Sequence, residues 1–226
     1  MIGIGITTKD RHDIAEIAWD NQLKHLPRDY KLVVVDDSSY EPQLYEYVDN
    51  MNLVTYRFDN TVGIAKAKNK CLQLLDDCDH IFLFDNDCWP IADDWWVPYI
   101  ESGENHLMYQ FDLPNNKLTE LYRDDKIVAY DKTRGAMLYV TRKVLDTVGG
   151  MDTRFYNAFD HPDWSWRIYN AGLTTHRAMD VVGSDKLFYC LDQDAKVKTS
   201  IKNRKPNSRL YQLSKTSKEF REFRNG

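Results

Sequence analysis

Apolar and polar positions alternate along the first half of the chain in blocks that match strands and helices. Four continuous apolar blocks predict strands, and their β-branched content is typical of a parallel sheet covered on both faces. These blocks are residues 2–7, 31–36, 52–58 and 80–85. Blocks with helical spacing predict helices at residues 13–25, 42–50 and 64–75. Strands that alternate with helices favour an α/β fold with an open, mostly parallel sheet.

The pattern changes after the fourth strand. Short stretches within residues 108–131 predict antiparallel strands, with turns at Pro114-Asn115-Asn116 and Asp124-Asp125. A further strand is predicted at residues 135–140, and a helix at residues 162–171. The second half is therefore expected to add antiparallel strands to the parallel half.

Polar side chains stand where each of the four predicted strands ends. In chain order they are Thr7 and Thr8, Asp36 and Asp37, Asp59 and Asn60, and Asp85 and Asp87. Carboxyl ends of parallel strands form one rim, and ligands of open α/β sheets bind there. Asp85 and Asp87 would repel each other without a cation between them. A hard divalent ion with oxygen ligands suits such a pair, and such an ion commonly also holds a diphosphate.

Composition narrows the class of protein. Hydrophobic residues make up 42% of the 226 positions, which is ample for the core of one compact domain. No apolar stretch approaches the ~20 residues that span a bilayer, and the first residues lack the features of a secretion signal. The four cysteines show neither a disulfide framework nor paired zinc spacing. We therefore expect free thiols, no membrane span and a cytoplasmic location, which is the host cytoplasm if the protein is viral.

Charge is distributed unevenly along the chain. Residues 195–226 hold ten basic and two acidic residues, a net of +8, whereas the preceding 194 residues have a net of −13. We expect one domain over residues 1–194 and a basic C-terminal extension over residues 195–226. Such an extension favours a polyanionic partner, or folds back on its own acidic domain.

Six motifs in order resemble those of family-2-type glycosyltransferases with the GT-A fold. They are residues 4–11, 33–39, 60–69, Asp85-Asn86-Asp87, 149–152 and 163–167 followed by Ala171-Gly172. The resemblance covers most of positions 2–173 and does not include the tail. It implies a Rossmann-like, mostly parallel sheet with antiparallel strands on the acceptor side. It also implies an inverting transfer of a sugar from a nucleotide sugar, here a UDP-sugar, to an acceptor hydroxyl.

The resemblance implies which residues bind the donor. They are Thr7, Thr8, Arg11, Asp36, Asp37, Asn60, Gly63, Lys66, Asn69, Asp85 and Asn86. Asp37 would accept hydrogen bonds from uracil N–H or ribose hydroxyls, or it forms a turn with Ser38. Gly63 would let backbone approach the nucleotide at a helix start that favours phosphate. Lys66 would add charge beside the diphosphate, or it is solvated.

The resemblance also implies a metal site. Asp85 and Asp87 form the acidic pair, and an all-oxygen site suits Mn²⁺ or Mg²⁺. The family commonly supplies a histidine from its C-terminal part as a third ligand, but the last histidine here is His176, which lies early. Asp185 is therefore our candidate third ligand, with Asp192 and Asp194 as alternatives.

The catalytic base is the point where the chain departs from the family. Counting back from Arg167, the family's Glu-Asp pair falls on Asp160 and His161, so histidine occupies the position of the base. Histidine can serve as a base, since a free imidazole titrates near neutral pH. Asp160 and Asp163 are the alternatives, and Arg167 is expected to pair with Asp163 one helical turn away.

The acceptor is open. The basic extension suits DNA that carries 5-hydroxymethylated bases, as in viral DNA-glycosylating enzymes, and Tyr211, Phe220 and Phe223 would add aromatic contacts. A surface glycan or glycolipid is the rival acceptor. A non-catalytic module that binds sugar nucleotides or nucleic acid is the rival to an enzyme.

Overall fold

The protein is described here by a computed structural model that covers residues 1–41, 52–156, 158–191 and 207–212. Its strands are β1 (Ile2–Thr8), β2 (Tyr30–Asp36), β3 (Leu53–Arg57), β4 (His80–Asp85), β5 (Cys88–Pro90), β6 (His106–Met108), β7 (Glu120–Arg123), β8 (Ile127–Tyr130), β9 (Met137–Thr141), β10 (Met179–Val181) and β11 (Phe188–Cys190). Its α-helices are α1 (His12–Lys24), α2 (Ile64–Leu74), α3 (Val97–Glu101), α4 (Arg142–Val148) and α5 (Asp160–Asn170). A 3₁₀ turn covers Ser184–Lys186, and residues 207–212 are helical.

A six-stranded sheet forms the centre of the molecule, with the strand order β3-β2-β1-β4-β9-β6. The first four strands of that order are parallel to one another. Strand β9 runs antiparallel to β4 and pairs with β6, which extends the sheet on the far side. Two smaller sheets follow, β10-β8-β7 and β11-β5. The predicted α/β class, with a mostly parallel sheet and added antiparallel strands, is confirmed.

Both faces of the central sheet are buried, as continuous apolar strands require. Successive residues of a strand point to opposite faces, so Val34 packs in one core cluster while Val33 packs in the other. Trp95 fills the first cluster and Trp164 of α5 fills the second, and both are fully buried. Each buried valine contributes about 1.5–3 kcal/mol relative to exposure. A charged substitution at Val34 is therefore expected to disrupt the sheet.

Several element boundaries differ from the sequence pattern, each for a local reason. Helix α1 begins at His12, one residue before the predicted start, because Arg11 turns the chain with a left-handed φ of 61°. Helix α5 begins at Asp160, two residues before Pro162, because Phe159 turns the chain with a φ of 67°. Proline is tolerated in a first turn, where its missing N–H is not needed.

Several predictions fall on residues outside the described part of the chain. They are the helix at residues 42–50, the boundary between residues 194 and 195, the alternative ligands Asp192 and Asp194, and the aromatic contacts of Phe220 and Phe223. Within the described residues, no helix combines the length and apolar character needed to cross a bilayer.

Candidate active site

A cavity of about 490 Å³ opens where β1, β2 and β4 end. This is the rim at which the sequence predicts a ligand. Nine of the predicted site residues line the cavity together. They are Thr7, Thr8, Arg11, Asp37, Asp85, Asn86, Asp87, Asp160 and His161. Strand ends and the start of α5, far apart in the sequence, therefore meet around one space.

Lys68 of α2 is a buried cation beside the acidic pair. Its side chain is 1% exposed, and its Nζ lies 2.9 Å from Asp85 Oδ1. The same Nζ donates to the Gly135 carbonyl oxygen at 3.1 Å. Burial alone would lower the pKa of Lys68, but the charges of Asp85 and Asp160 outweigh burial and raise it. Lys68 is therefore protonated, and it stabilises the negative charge of the site.

Arg11 is the second cation at the acidic pair. Its Nη1 lies 3.0 Å from Asp87 Oδ2, and the arginine side chain remains 37% exposed. Asn86, between the two acids, donates to Thr8 Oγ1 at 3.1 Å. Asp85 accepts a long hydrogen bond from Thr7 Oγ1 at 3.4 Å. The end of β4 is thus tied to the end of β1, and both acids face the cavity.

The acidic pair has the chemistry of a divalent cation site. Burial raises the pKa of Asp85, Lys68 opposes that shift, and the charge of Asp87 adds to it. A hard cation would relieve this residual repulsion, and carboxylate oxygens are the ligands that Mn²⁺ and Mg²⁺ prefer. Asp85 and Asp87 therefore fit the metal that the sequence implies.

A third protein ligand is not brought to this pair. Across residues 1–41, 52–156, 158–191 and 207–212, no three His, Cys, Asp or Glu side chains cluster as a metal site. Asp185 is exposed in the 3₁₀ turn Ser184–Lys186 and does not line the cavity. Asp192 and Asp194 lie outside the described residues. Among the described residues, Asp85 and Asp87 are therefore the side chains that would hold the ion.

The two acids at the end of β2 have different surroundings. Asp36 Oδ1 accepts from the backbone N and the Oγ of Ser39, so Asp36 holds the turn after the strand and does not line the cavity. Asp37 lines the cavity and accepts from the backbone N–H groups of Val62 and Gly63, at 2.6 and 3.0 Å. Burial raises the pKa of Asp37, against those two hydrogen bonds. Asp37 thereby fixes the start of α2 beside the cavity.

His161 and Asp160 form one wall of the cavity. The His161 Nδ1 lies 3.8 Å from Asp160 Oδ2. Burial alone would raise the pKa of Asp160, but His161 and Lys68 together lower it, so this carboxylate is ionised. The His161 ring packs directly on Gly135, where an added Cβ would lie 2.5 Å from Nδ1. Only glycine at this position leaves room for the imidazole.

Asp163 points away from this wall. It is fully buried, and its Oδ2 lies 3.0 Å from Arg167 Nε, which confirms the expected pair. Arg167 also donates to the carbonyl oxygens of Val148 and Gly150. Burial raises the pKa of Asp163 to about 6 despite the arginine. The pair fastens α5 to the end of α4 and does not line the cavity.

Four other residues of the predicted donor set also lie outside the cavity lining. Asn60 is exposed and Lys66 is half-buried. Gly63 caps α2 with a φ of 91°. Asn69 exchanges hydrogen bonds with the backbone of Met151, its Nδ2 donating at 2.8 Å and its Oδ1 accepting at 2.7 Å. Gly63 and Asn69 therefore have local structural roles.

Sequence reasoning missed three residues at or behind the site. Lys68 lies on the apolar stripe of α2 with Cys71 and Leu72, and a charge on such a stripe is a signal that could have been used. Arg134 lines the cavity and donates to the Phe111 carbonyl oxygen. His106 stands at the start of β6 with only 2% of its surface exposed, and its Nε2 lies 2.9 Å from Ser165 Oγ of α5.

Solved structures with the same fold are glycosyltransferases. A mannosyltransferase from Pyrobaculum calidifontis, solved with GDP-Man and Mn²⁺, is 17% identical over 78% of this chain and 53% of its own, with a TM-score of 0.59. S. aureus TarS 1-349, solved with UDP, is 16% identical over 94% and 64% of the two chains, with a TM-score of 0.65. GalNAc-T7 with UDP, GalNAc and Mn²⁺ is 13% identical over 90% and 46%, with a TM-score of 0.66.

These structural similarities confirm the GT-A fold. The chain spans between 46% and 64% of the lengths of the three proteins. A search of curated protein sequences found no significant match. The model of glycosyl transferase family 2, however, matches residues 4–161, which include every strand end of the cavity and the start of α5. The chain therefore belongs to glycosyl transferase family 2.

Proposed function

We propose that the chain is a metal-dependent, inverting glycosyltransferase that moves a sugar from a UDP-sugar to an acceptor hydroxyl. The observation that carries the proposal is the single cavity in which Asp85, Asp87 and His161 face a common space. Membership of the family supports sugar transfer. The UDP and Mn²⁺ bound to GalNAc-T7 support this donor class and a divalent ion.

His161 takes the proton of the acceptor hydroxyl in this proposal. Asp160 is ionised beside it, and a carboxylate next to an imidazole stabilises the imidazolium that forms. Asp163 is unsuited to this role, because its carboxylate is enclosed with Arg167 away from the cavity. The deprotonated hydroxyl attacks the anomeric carbon opposite the diphosphate, which inverts the configuration at that carbon.

The departing diphosphate lies beside Asp85 and Asp87 in this proposal. Lys68 contacts Asp85 and Arg11 contacts Asp87, so both bring positive charge to the acidic pair. The N-terminus of α2 reaches the cavity through Ile64. Helix N-termini and fixed cations stabilise phosphate charge. A divalent cation held by Asp85 and Asp87 would offset the negative charge that builds on the leaving group.

The donor is tested by measuring nucleotide release from a panel of UDP-sugars and GDP-mannose, with Mn²⁺, Mg²⁺ or EDTA. We expect release from at least one UDP-sugar, and we expect EDTA to abolish it. Asp87→Ala should abolish both release and metal-dependent UDP binding. Unchanged turnover in that variant would remove the metal role, and release from GDP-mannose alone would overturn the choice of UDP.

The base is tested with two variants on the same helix. His161→Ala is expected to lower kcat by about 100-fold or more while UDP affinity stays within about twofold. Asp163→Asn is expected to lower stability, because it breaks the buried pair with Arg167. If Asp163→Asn loses turnover at unchanged stability while His161→Ala keeps it, Asp163 is the base.

For the acceptor we propose DNA carrying 5-hydroxymethylated bases, and a surface glycan or glycolipid is the second candidate. The net charge of +8 over residues 195–226 supports a polyanion. Within a duplex the base would have to be flipped out to reach His161. Radiolabelled sugar transfer to hydroxymethylated DNA, unmodified DNA and glycan acceptors decides between them. Absence of DNA binding by the full chain at low salt would leave the glycan.

A further inference from the structure

The turn before α5 is a strained piece of backbone next to the proposed base. Phe159 has a φ of 67° and a ψ of 4°, a left-handed conformation that costs a non-glycine residue roughly 1 kcal/mol or more. Ala158, before it, and Asp160 and His161, after it, line the cavity. Such a conformation persists only where its surroundings hold it, so the contacts of this turn, together with the packing of the ring on Gly135, set where the His161 ring points.

Residues 207–212 contact this turn from the C-terminal part of the chain. Asn207 is 6% exposed, and its Nδ2 donates to the carbonyl oxygens of Tyr156 and Ala158, both at 2.9 Å. Tyr211, one helical turn later, stacks on the Phe159 ring with a centroid distance of 5.2 Å. The Asn207 amide thus bridges two backbone carbonyls of the turn, and the Tyr211 ring packs on Phe159, the residue with the left-handed backbone.

The opposite side of the turn contacts the start of α2. The Tyr156 ring packs on Gly63 at the start of α2, where an added Cβ would lie 2.6 Å from Tyr156 Cδ2. The backbone N–H of Gly63 in turn donates to Asp37. The turn is therefore clamped between the start of α2 and residues 207–212.

Arg177 anchors residues 207–212 to the body of the protein. Its Nη1 lies 3.5 Å from the Tyr211 hydroxyl oxygen, and its Nη2 donates to the Asp131 carbonyl oxygen at 3.2 Å. Its guanidinium also lies over the Trp166 ring of α5, 4.9 Å from the ring centroid. Through Arg177, residues 207–212 are thus linked to the helix that follows the turn they contact.

We propose that Asn207 and Tyr211 are positioning residues for the transfer reaction: they fix the left-handed turn at Phe159 and thereby hold the His161 imidazole toward the cavity. The inference rests on the proposed role of His161 as the base. It makes part of the basic C-terminal extension a component of the acceptor side, close to where an acceptor hydroxyl must lie. The extension then acts on turnover directly, besides any contact with a charged partner.

The test uses the full chain with Asn207→Ala, Tyr211→Ala and the control Gln212→Ala, which alters an exposed residue of the same helical turn. The first readout is the histidine NMR spectrum, in which His161 is one of six histidines. Its signal is assigned with His161→Ala. The second readout is UDP affinity, and the third is kcat for donor turnover.

We expect both variants to shift and broaden the His161 signal and to leave UDP affinity within about twofold of the starting protein. We expect kcat to fall by about 10- to 100-fold, because displacing a catalytic group by about 1 Å has effects of that size. Asn207→Ser replaces the amide donor with one hydroxyl donor. Its kcat and His161 signal should therefore lie between those of the starting protein and those of Asn207→Ala. Gln212→Ala should leave all three readouts unchanged.

An unchanged His161 signal in folded Asn207→Ala and Tyr211→Ala overturns the inference. Equal losses of kcat and UDP affinity also overturn it, because they would indicate general destabilisation. If either alanine variant fails to fold, Asn207→Ser decides by the same readouts. Failure of the proposed function gives a different result, because the starting protein itself would then show no UDP binding or turnover. The His161 signal would still report whether Asn207 and Tyr211 hold the imidazole ring.

Discussion

Lys68 shows at the scale of one residue how the site tolerates a concentration of acids. Lys68 is fully buried, and its Nζ contacts Asp85, whose side chain is 33% exposed. The charge of Asp160, which is buried, also acts on Lys68. Removing one partner of a buried ion pair costs about 3–5 kcal/mol, because the other charge is left uncompensated. We therefore expect Lys68→Met to lower the free energy of unfolding by about 3 kcal/mol in urea denaturation without metal.

The same reasoning provides an internal control. The double variant Lys68→Met/Asp85→Asn removes the charge that the single variant leaves unpaired, so it should recover part of the loss. Lys66→Met, on the same helix but half-buried, should change stability by less than about 0.5 kcal/mol. A loss below about 1 kcal/mol for Lys68→Met would mean that the buried charge is not needed to balance the acids.

Gly135 is a second residue whose identity is set by a neighbour. A methyl group at this position would overlap the His161 ring, with 2.5 Å between the new Cβ and Nδ1. The ring must swing aside, because the new Cβ is fixed to the backbone of residue 135 and cannot retreat. We expect Gly135→Ala to lower kcat by about 10- to 100-fold with UDP affinity nearly unchanged, measured by nucleotide release and calorimetry.

Gly103 offers a matched control for that substitution. Its φ is 80°, so alanine is strained there too, but no described atom lies within 4 Å of the added Cβ. Gly103→Ala should therefore lower stability modestly and leave kcat unchanged. Similar losses of kcat in both variants would trace the effect to stability and not to displacement of His161.

The sequence could name the acidic rim because each of its residues follows an apolar strand, and strand ends of a parallel sheet must meet. It could not separate His161 from Asp163, since both lie in the first turn of one helix. Their directions are set by partners distant in the chain: Gly135 against His161, and Val148 with Gly150 around Arg167. Those contacts exist only after β9 and α4 are in place.

At the scale of elements, His106 joins three parts of the second half. It begins β6, and its Nδ1 donates to the Tyr139 carbonyl oxygen of β9 at 2.8 Å. Its Nε2 lies 2.9 Å from Ser165 Oγ of α5, and the same Oγ lies 2.9 Å from the carbonyl oxygen of His161. The helix that carries the proposed base is therefore attached to the edge of the sheet through one buried imidazole.

This attachment makes stability depend on pH. Burial lowers the pKa of His106 to about 4, whereas an unfolded histidine has a pKa of 6.5. The unfolded chain therefore binds this proton first as pH falls, so the stabilisation is present above pH 6.5 and is lost as pH falls towards 4. The difference in pKa corresponds to about 3 kcal/mol between those limits.

We expect His106→Asn to remove most of this dependence, because asparagine keeps a donor near the position of Nδ1 but does not titrate. Urea denaturation at pH 7, 5.5 and 4 measures the free energy of unfolding of both proteins. The loss between pH 7 and 4 should be smaller in the variant by about 3 kcal/mol. Parallel curves for the two proteins would show that His106 is not the group responsible.

Elements differed in how well the sequence specified them. Strands β1, β2 and β4 were predicted to within one residue or so, because continuous apolar runs in a parallel sheet are unambiguous. The region of residues 108–131 was less well specified: the turn at Asp124-Asp125 joins β7 to β8, but Pro114-Asn115-Asn116 lies in a loop that an isolated bridge closes. Loop conformation there depends on Arg134, which donates to the carbonyl oxygens of Phe111 and Asn116.

At the scale of the whole molecule, the cavity is assembled from both halves of the chain. The parallel half supplies β1, β2, β4 and α2, and the second half supplies Gly135 and the start of α5. The family match, residues 4–161, ends within the first turn of α5. Contacts from residues 207–212 lie beyond that match, which explains why motifs alone gave no indication of them.

Because the cavity requires all these elements, ligand binding should stabilise the entire fold. A ligand that binds only the folded state at 100 times its Kd adds about 2.7 kcal/mol, which for a domain of this size raises Tm by about 5–10 °C. We expect that rise with UDP and Mn²⁺ together, measured by thermal unfolding. EDTA should remove it, and so should Asp87→Asn, which takes one charged ligand from the ion while its side-chain shape is kept. Equal stabilisation by UDP in the presence of EDTA would mean that Arg11 and Lys68, and not a cation at Asp85 and Asp87, neutralise the diphosphate.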